Sequence, residues 1–269
     1  MDNVLFAFML TLFAGLSTTF GALLAFFTNA DNKKFLSASL GFSAGVMIYI
    51  SFMEMMPNAL KHLLINYDEK TASLIMVAGF FVGVLIFGII DKLVPEADNP
   101  HTMQSEEDIE SLREDSLVEV RRLERMGLMS AIAVAVHNFP EGLVTFMSAV
   151  ISPELGISIA IAVAIHNIPE GIAVAVPIYQ ATGSKKKALM MTFLSGFAEP
   201  LGALLGYLVL SSIFNDTTFG VVFAMVAGIM VFISLDELLP ASREYGEAHL
   251  SIYGLFLGML IMAISLIII

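Results

Sequence analysis

A chain of 269 residues with 57% hydrophobic and only 14% charged residues lies outside the range of soluble globular proteins and reads as an integral membrane protein. Its formal charge of −12 does not describe an acidic outer surface, because ten of the acids crowd into residues 94 to 127 and several others sit inside apolar segments. Cysteine is absent, which excludes disulfides, thiolate metal sites and cysteine nucleophiles and leaves nitrogen and oxygen as the donors for any metal.

Apolar runs long enough to cross about 30 Å of hydrocarbon predict eight spans, at residues 4–27, 35–60, 71–92, 128–150, 154–178, 187–211, 217–240 and 248–269. The first begins with Asp2 instead of a basic segment and is too long for a signal peptide, so it reads as a retained span. The loops after spans one, three, five and seven carry Lys33, Lys34, Lys92, Arg113, Arg121, Arg122, Arg125, Lys185, Lys186, Lys187 and Arg243, whereas the opposite side has Lys61 and Lys70. Positive charge marks the cytoplasmic face, so both termini are expected outside the cytoplasm. The long loop at 94–127 opens with Pro95, Asp98, Asn99 and Pro100. From Ser105 and Asp108 onward, Ile109, Leu112, Leu117, Val120 and Leu123 follow a helical period, which predicts a surface helix leading into span four. Its acids read as a solvated face.

Span two ends in Ser51-Phe-Met-Glu54-Met-Met-Pro57 and span seven in Ser234-Leu-Asp-Glu237-Leu-Leu-Pro240. Span three matches span eight through Gly79, Phe81 and Gly83 against Gly254, Phe256 and Gly258, and Gly21 onward matches Gly202 onward between spans one and six. Five crossings separate the matched segments. An odd number reverses direction, so the fold class expected is an all-α membrane protein of eight helices in a 3+2+3 arrangement, with spans 1–3 and 6–8 as inverted repeats. The segments are then 1–93, the loop 94–127, the central pair 128–178, and 179–269.

The central pair carries the chemistry. His137-Asn-Phe-Pro-Glu-Gly142 recurs as His166-Asn-Ile-Pro-Glu-Gly171. Each copy puts a histidine and a glutamate on one helix face a turn apart, with a proline between them that removes a backbone donor. A charged group at mid-membrane costs roughly 3 kcal/mol, so these carboxylates require a partner. The centres of spans four, five and six fall on the His137 to Glu141 turn, on His166 and on Glu199, at one depth. His137, Glu141, His166 and Glu170 make a candidate ligand set for one divalent ion. The donors suit Zn(2+), and also Fe(2+), Mn(2+) or Co(2+). Asn138 and Asn167, with Glu199 and with Glu141 and Glu170 as bridges, make a second, oxygen-rich set. Glu54 and Glu237 lie roughly 10 Å along the axis from their span centres, toward opposite faces, as candidates for entry and exit.

Other polar residues carry blander readings. His62 and His249 sit at span ends, Asp236 reads as reaching water, Asp91 and Lys92 as a boundary pair, and His101 stands alone in its loop. The methionines read as packing. Gly41 and Gly45, Gly79 and Gly83, and Gly254 and Gly258 form small-residue faces that serve contacts either within the chain or between subunits.

At the two histidine motifs and at Gly196-Phe-Ala-Glu-Pro-Leu-Gly202 the chain resembles the ZIP family of divalent metal transporters, and within it the bacterial zinc-uptake branch. The eight-span layout extends the resemblance over essentially the whole chain. It implies inward movement of Zn(2+) and related ions, Cd(2+) among them, a binuclear midplane site and a homodimer. Many relatives have a His-rich third loop, whereas here it has only His101. An intramembrane zinc hydrolase is the competing class. Against it, the His-Glu-x-x-His motif is absent and asparagine stands where its general base would be. A metal-gated sensor and a passive channel share the same ligands.

Overall fold

The computed structural model describes residues 2–27, 33–93, 116–210, 215–244 and 248–268. The regular structure among them is helical, and eight helices are long and apolar enough to cross a membrane. Helix α1 is Asp2–Phe27. Helix α2 runs from Lys33–Ile50 through a π turn at Ser51–Met55 into Met56–Leu63. Helices α3 to α6 are Glu69–Leu93, Ser116–Ile151, Pro153–Thr182 and Lys185–Leu210. Helix α7 runs from Asp216–Ile233 through a second π turn at Ser234–Leu238 into Leu239–Glu244, and α8 is Ala248–Ile268.

These limits agree closely with the apolar runs. One boundary differs in an informative way: α4 starts at Ser116, so Leu117, Val120 and Leu123 belong to the same continuous helix as the span they lead into. The part of the expected surface helix at Ser105 to Leu112 lies outside the described residues, as does His101. Local signals set the ends of α5. Ser152 caps its start by accepting from the Leu155 N–H, Pro153 fills the first helical position, and Gly183 closes the other end at φ 64°. Pro140, Pro169 and Pro200 sit inside α4, α5 and α6 without ending them.

The helix breaks fall elsewhere, at the two π turns. In each, the N–H after the turn reaches back five residues, Met56 to Ser51 and Leu239 to Ser234. The serine hydroxyls donate back to Met47 and Met230, both at 2.7 Å. Pro57 and Pro240 follow in the next turn, and a wider turn relieves the clash a proline ring makes with the carbonyl four residues earlier.

Packing divides the helices into two groups of four. In the first, α1 packs along α5 and α4 along α6, while α4 against α5 and α1 against α6 close the set. In the second, α2 packs along α8 and α3 along α7, and the last turns of α2 lie on α7. The groups meet where α2 lies against α5 and α7 against α4. Glycines set the close approaches in the second group. Gly41 and Gly45 face the carbonyls of Ser251 and Leu255, Gly254 and Gly258 face those of Ala38 and Phe42, and Gly83 and Gly228 face those of Met225 and Phe80. A Cβ at any of these would enter the opposing backbone. The small-residue faces are therefore used inside the chain, which decides between the two uses the sequence left open.

Candidate metal centre

Asn138, Glu141, His166, Asn167, Glu170 and Glu199 are all buried, from 0% to 2% exposed. They come from α4, α5 and α6 in the interior of the first group. His166 Nε2 lies 3.2 Å from Glu141 Oε2, which joins α5 to α4. Asn167 donates from Nδ2 to the Glu199 carboxylate of α6 and, at 2.9 Å, to the Ala14 carbonyl of α1. Asn138 donates to the Ser195 carbonyl of α6 at 3.2 Å. Because a carbonyl accepts from each amide nitrogen, the amide oxygens of Asn138 and Asn167 are turned away from those bonds. Glu141 and Glu170 are both within electrostatic reach of Glu199. The side chain of His137 lies outside the described residues.

Glycines again make the geometry possible, a role the sequence reading did not give them. Gly142 lies against the backbone of Glu199, Gly171 against Thr18, Gly202 against Phe139 and Gly21 against Ile168. Gly15 and Gly196 face each other where α1 crosses α6. Helices this close let a short asparagine on α5 reach both α1 and α6. Ser43 was also missed: its hydroxyl, on α2, donates to the His166 carbonyl at 3.3 Å and lies 3.5 Å from Glu170 Oε1. A serine in an apolar helix carries no signal of its own.

Four buried oxygens of this cluster, Asn138 Oδ1, Glu141 Oε1, Asn167 Oδ1 and Glu199 Oε2, accept no hydrogen bond. Each such buried group costs about 1–3 kcal/mol, more when charged. A divalent cation answers acceptors of this kind, and with imidazole nitrogen beside them the set suits Zn(2+), Fe(2+), Mn(2+) or Co(2+). Among the described residues no three His, Asp or Glu side chains are drawn together as a metal cluster.

The outlying residues divide. Glu54 is half-buried in the first π turn and accepts from Asn58 Nδ2 at 3.1 Å, and Glu237 is 7% exposed in the second. Asp236 is exposed, as expected of a residue reaching water. His62 is more engaged than an interfacial residue: Nδ1 is 2.9 Å from Asp216 Oδ1, and its ring lies 4.4 Å from that of Phe219. His249 is exposed beside Tyr253. The side chain of Asp91 lies outside the described residues.

Fold and site together define a class, the polytopic helical membrane protein with imidazole, carboxylate and amide groups gathered in its solvent-excluded interior. The chain belongs to the ZIP zinc transporter family, whose model matches residues 92–266. It is 53% identical over 275 residues to the zinc transporter ZupT of Clostridium perfringens, covering 99% of this chain and 96% of that one. The ZupT of Streptococcus mutans is 57% identical over 260 residues, covering 97% and 96%, and that of Chlorobaculum parvum 55% over 265 residues, covering 98% of each. The family is one of transporters, not of enzymes.

Proposed function

We propose that this chain carries Zn(2+), and with it Fe(2+), Mn(2+), Co(2+) and Cd(2+), across the cell membrane into the cytoplasm. The cargo passes a midplane binuclear site of His137, Asn138, Glu141, His166, Asn167, Glu170 and Glu199. The observation that carries the reading is the set of four buried oxygens, on three helices, that accept no hydrogen bond. Three of them belong to the motif that the sequence carries twice and the fourth is that of Glu199 on α6, in a chain whose relatives are named zinc transporters.

In this reading the ion passes Glu54, exchanges water for midplane ligands and leaves past Glu237 as one helix group shifts against the other. The division into two four-helix groups supports such a shift, since most packing is within groups. Both termini lie outside the cytoplasm, on the strength of the Lys and Arg distribution, and the protein works as a homodimer, as the family resemblance implies.

The 3+2+3 inverted repeat, with segments 1–93, 94–127, 128–178 and 179–269, belongs to the same proposal. Exchange α1, α2 and α3 with α6, α7 and α8, and α4 with α5: the pair α1 with α5 becomes α6 with α4, and α2 with α8 becomes α7 with α3, all observed pairs. The bond from Asn167 to Ala14 becomes that from Asn138 to Ser195. Gly171 on Thr18 becomes Gly142 on Glu199, Gly21 on Ile168 becomes Gly202 on Phe139, and Gly15 and Gly196 trade places. These coincidences support a pseudo-two-fold relation through the site.

Purified protein in proteoliposomes tests the function. Wild type should show saturable, inward Zn(2+) uptake, and the other four ions should compete for it. Chemical cross-linking in the bilayer should capture a dimer. Absence of Zn(2+) uptake from a folded, correctly oriented preparation would end the reading.

A further inference from the structure

The correspondence between the two halves of the site fails at one position, and the failure is chemical. Under the exchange that takes Asn167 to Asn138 and Ala14 to Ser195, Glu199 becomes Thr18. On one side Asn167 bonds the Glu199 carboxylate. On the other, Thr18 Oγ1 and Asn138 Oδ1 are both buried and neither has a hydrogen-bond partner. The two residues approach the same peptide. Asn138 donates to the carbonyl of Ser195 at 3.2 Å, and a Cβ at the next residue, Gly196, would stand 3.1 Å from Thr18 Oγ1.

A threonine in a helix ordinarily satisfies its hydroxyl on the carbonyl four residues back. For Thr18 that carbonyl is Ala14, which already accepts from Ser17 Oγ at 2.5 Å and from Asn167 Nδ2 at 2.9 Å. With its local acceptor occupied, the hydroxyl is left inside an apolar helix bundle with lone pairs unused, at a cost of about 1–3 kcal/mol. Threonine is two heavy atoms shorter than glutamate, so it leaves room on its side of the site where the other side has a carboxylate.

We propose that Thr18 Oγ1 is a further ligand of the oxygen-rich half of the site, sharing a divalent cation with Asn138 Oδ1 opposite Glu199. A site completed by neutral amide and hydroxyl oxygens holds such a cation less tightly than the imidazole and carboxylate set does. The pair of sites is therefore unequal. The ion of the His137, Glu141, His166 and Glu170 set is the tighter, and the ion of the oxygen-rich set, which Thr18 completes, is the one that exchanges with water and leaves. The inference rests on the binuclear reading proposed above and adds to it a residue and an order of affinities.

Titration of the full-length protein in detergent with Cd(2+), followed by calorimetry and by metal count after desalting, tests it together with Zn(2+) uptake in proteoliposomes. Wild type should bind two ions in two resolved steps. T18V, which matches threonine in shape, should keep the tighter step and weaken the other by about tenfold, raising the KM for uptake. T18S, which keeps the hydroxyl, should restore both steps. The proposal is overturned if T18V titrates as wild type, if T18V loses both steps, if T18S behaves as T18V, or if wild type binds a single ion. The functional reading fails separately, by absence of Zn(2+) uptake in wild type, and E199A, within the same oxygen-rich set, should weaken the weaker step while leaving the tighter.

Discussion

The two four-helix groups are built from the same apolar alphabet and do different things with it. The group of α1, α4, α5 and α6 buries Asn138, Glu141, His166, Asn167, Glu170 and Glu199 together, and several of its interhelical bonds run through them. The group of α2, α3, α7 and α8 is joined along glycine faces set against backbone carbonyls. Burial shows the same contrast at the level of whole helices. In α5, 78% of the most apolar stretch is buried, against 17% in α3 and 22% in α8. The exposed faces of α3 and α8 carry Phe81, Leu85, Phe256 and Leu260, the surface that lipid requires. A carrier needs one part that can bind and release a charge and another that keeps its shape, and in the proposed reading those duties fall to the first and second group.

The largest expected effect tests the first group. Glu141→Ala removes a carboxylate that reaches His166 and has a free oxygen besides. Zn(2+) uptake should fall by at least about 100-fold in protein that still folds in detergent, because the glycine contacts that pack these helices are untouched by the change. Robust uptake by that variant would detach Glu141 from the site. The second group should respond the other way. Gly258→Leu puts a side chain into the carbonyl of Phe42 across α2 and α8. Overpacking of this kind costs about 1–3 kcal/mol or more, so the folded yield and melting temperature should drop, and Zn(2+) affinity of the protein that does fold should remain. If Gly258→Leu instead spared stability and abolished binding, the division of duties would be wrong.

Acidification should act chiefly on the first group, which holds the imidazole and carboxylate ligands. Imidazole and carboxylate bind a metal only without their protons, so each ligand set competes with protons for its ion. Lowering pH adds protons to the ligands and weakens binding, and uptake should fall by about tenfold between pH 7.5 and 5.5. The control is the melting temperature of metal-free protein, which should change less across that range. Flux that held constant over the same interval would show that the ligands reach the ion without displacing protons.

How much of this could be read from the chain follows from the same contrast. Charged residues in an apolar run are rare and costly, so Glu141, Glu170 and Glu199 stood out, and their spacing from His137, His166 and the span centres put them at one depth. The eight spans were legible because hydrocarbon thickness sets a minimum run length. Helix pairing was not, because glycine and alanine occur on nearly every face of these helices, and only the structure shows that Gly41 and Gly45 meet α8 or that Gly142 meets Glu199. The shared Ser-x-x-Glu-x-x-Pro segments were visible as a repeat but not as π turns, since a widened turn has no composition of its own. Ser43 and Thr18 were invisible for a related reason: a hydroxyl in a membrane helix normally bonds its own backbone, and nothing in the sequence says when that carbonyl is already in use.

The smallest predicted effect concerns the seam between the groups. Ser43 belongs to α2 of the second group, yet its hydroxyl donates to the His166 carbonyl at 3.3 Å and sits 3.5 Å from Glu170 in the first. On the same face of α2, three or four residues to either side, Leu40 and Met47 are buried and apolar and their side chains form no such bond. If the first group moves as a body during transport, this bond is made in the arrangement described here and broken in the next. Ser43→Ala should therefore leave the Zn(2+) affinity within about twofold and raise the maximal uptake rate by roughly fivefold, the kinetic equivalent of about 1 kcal/mol removed from one arrangement. A fall in affinity of about tenfold would instead make Ser43 a member of the ligand set and move α2 into the group that holds the ion. Unchanged affinity and rate would mean that the seam opens without breaking this contact, and that the two groups are less independent in motion than in packing.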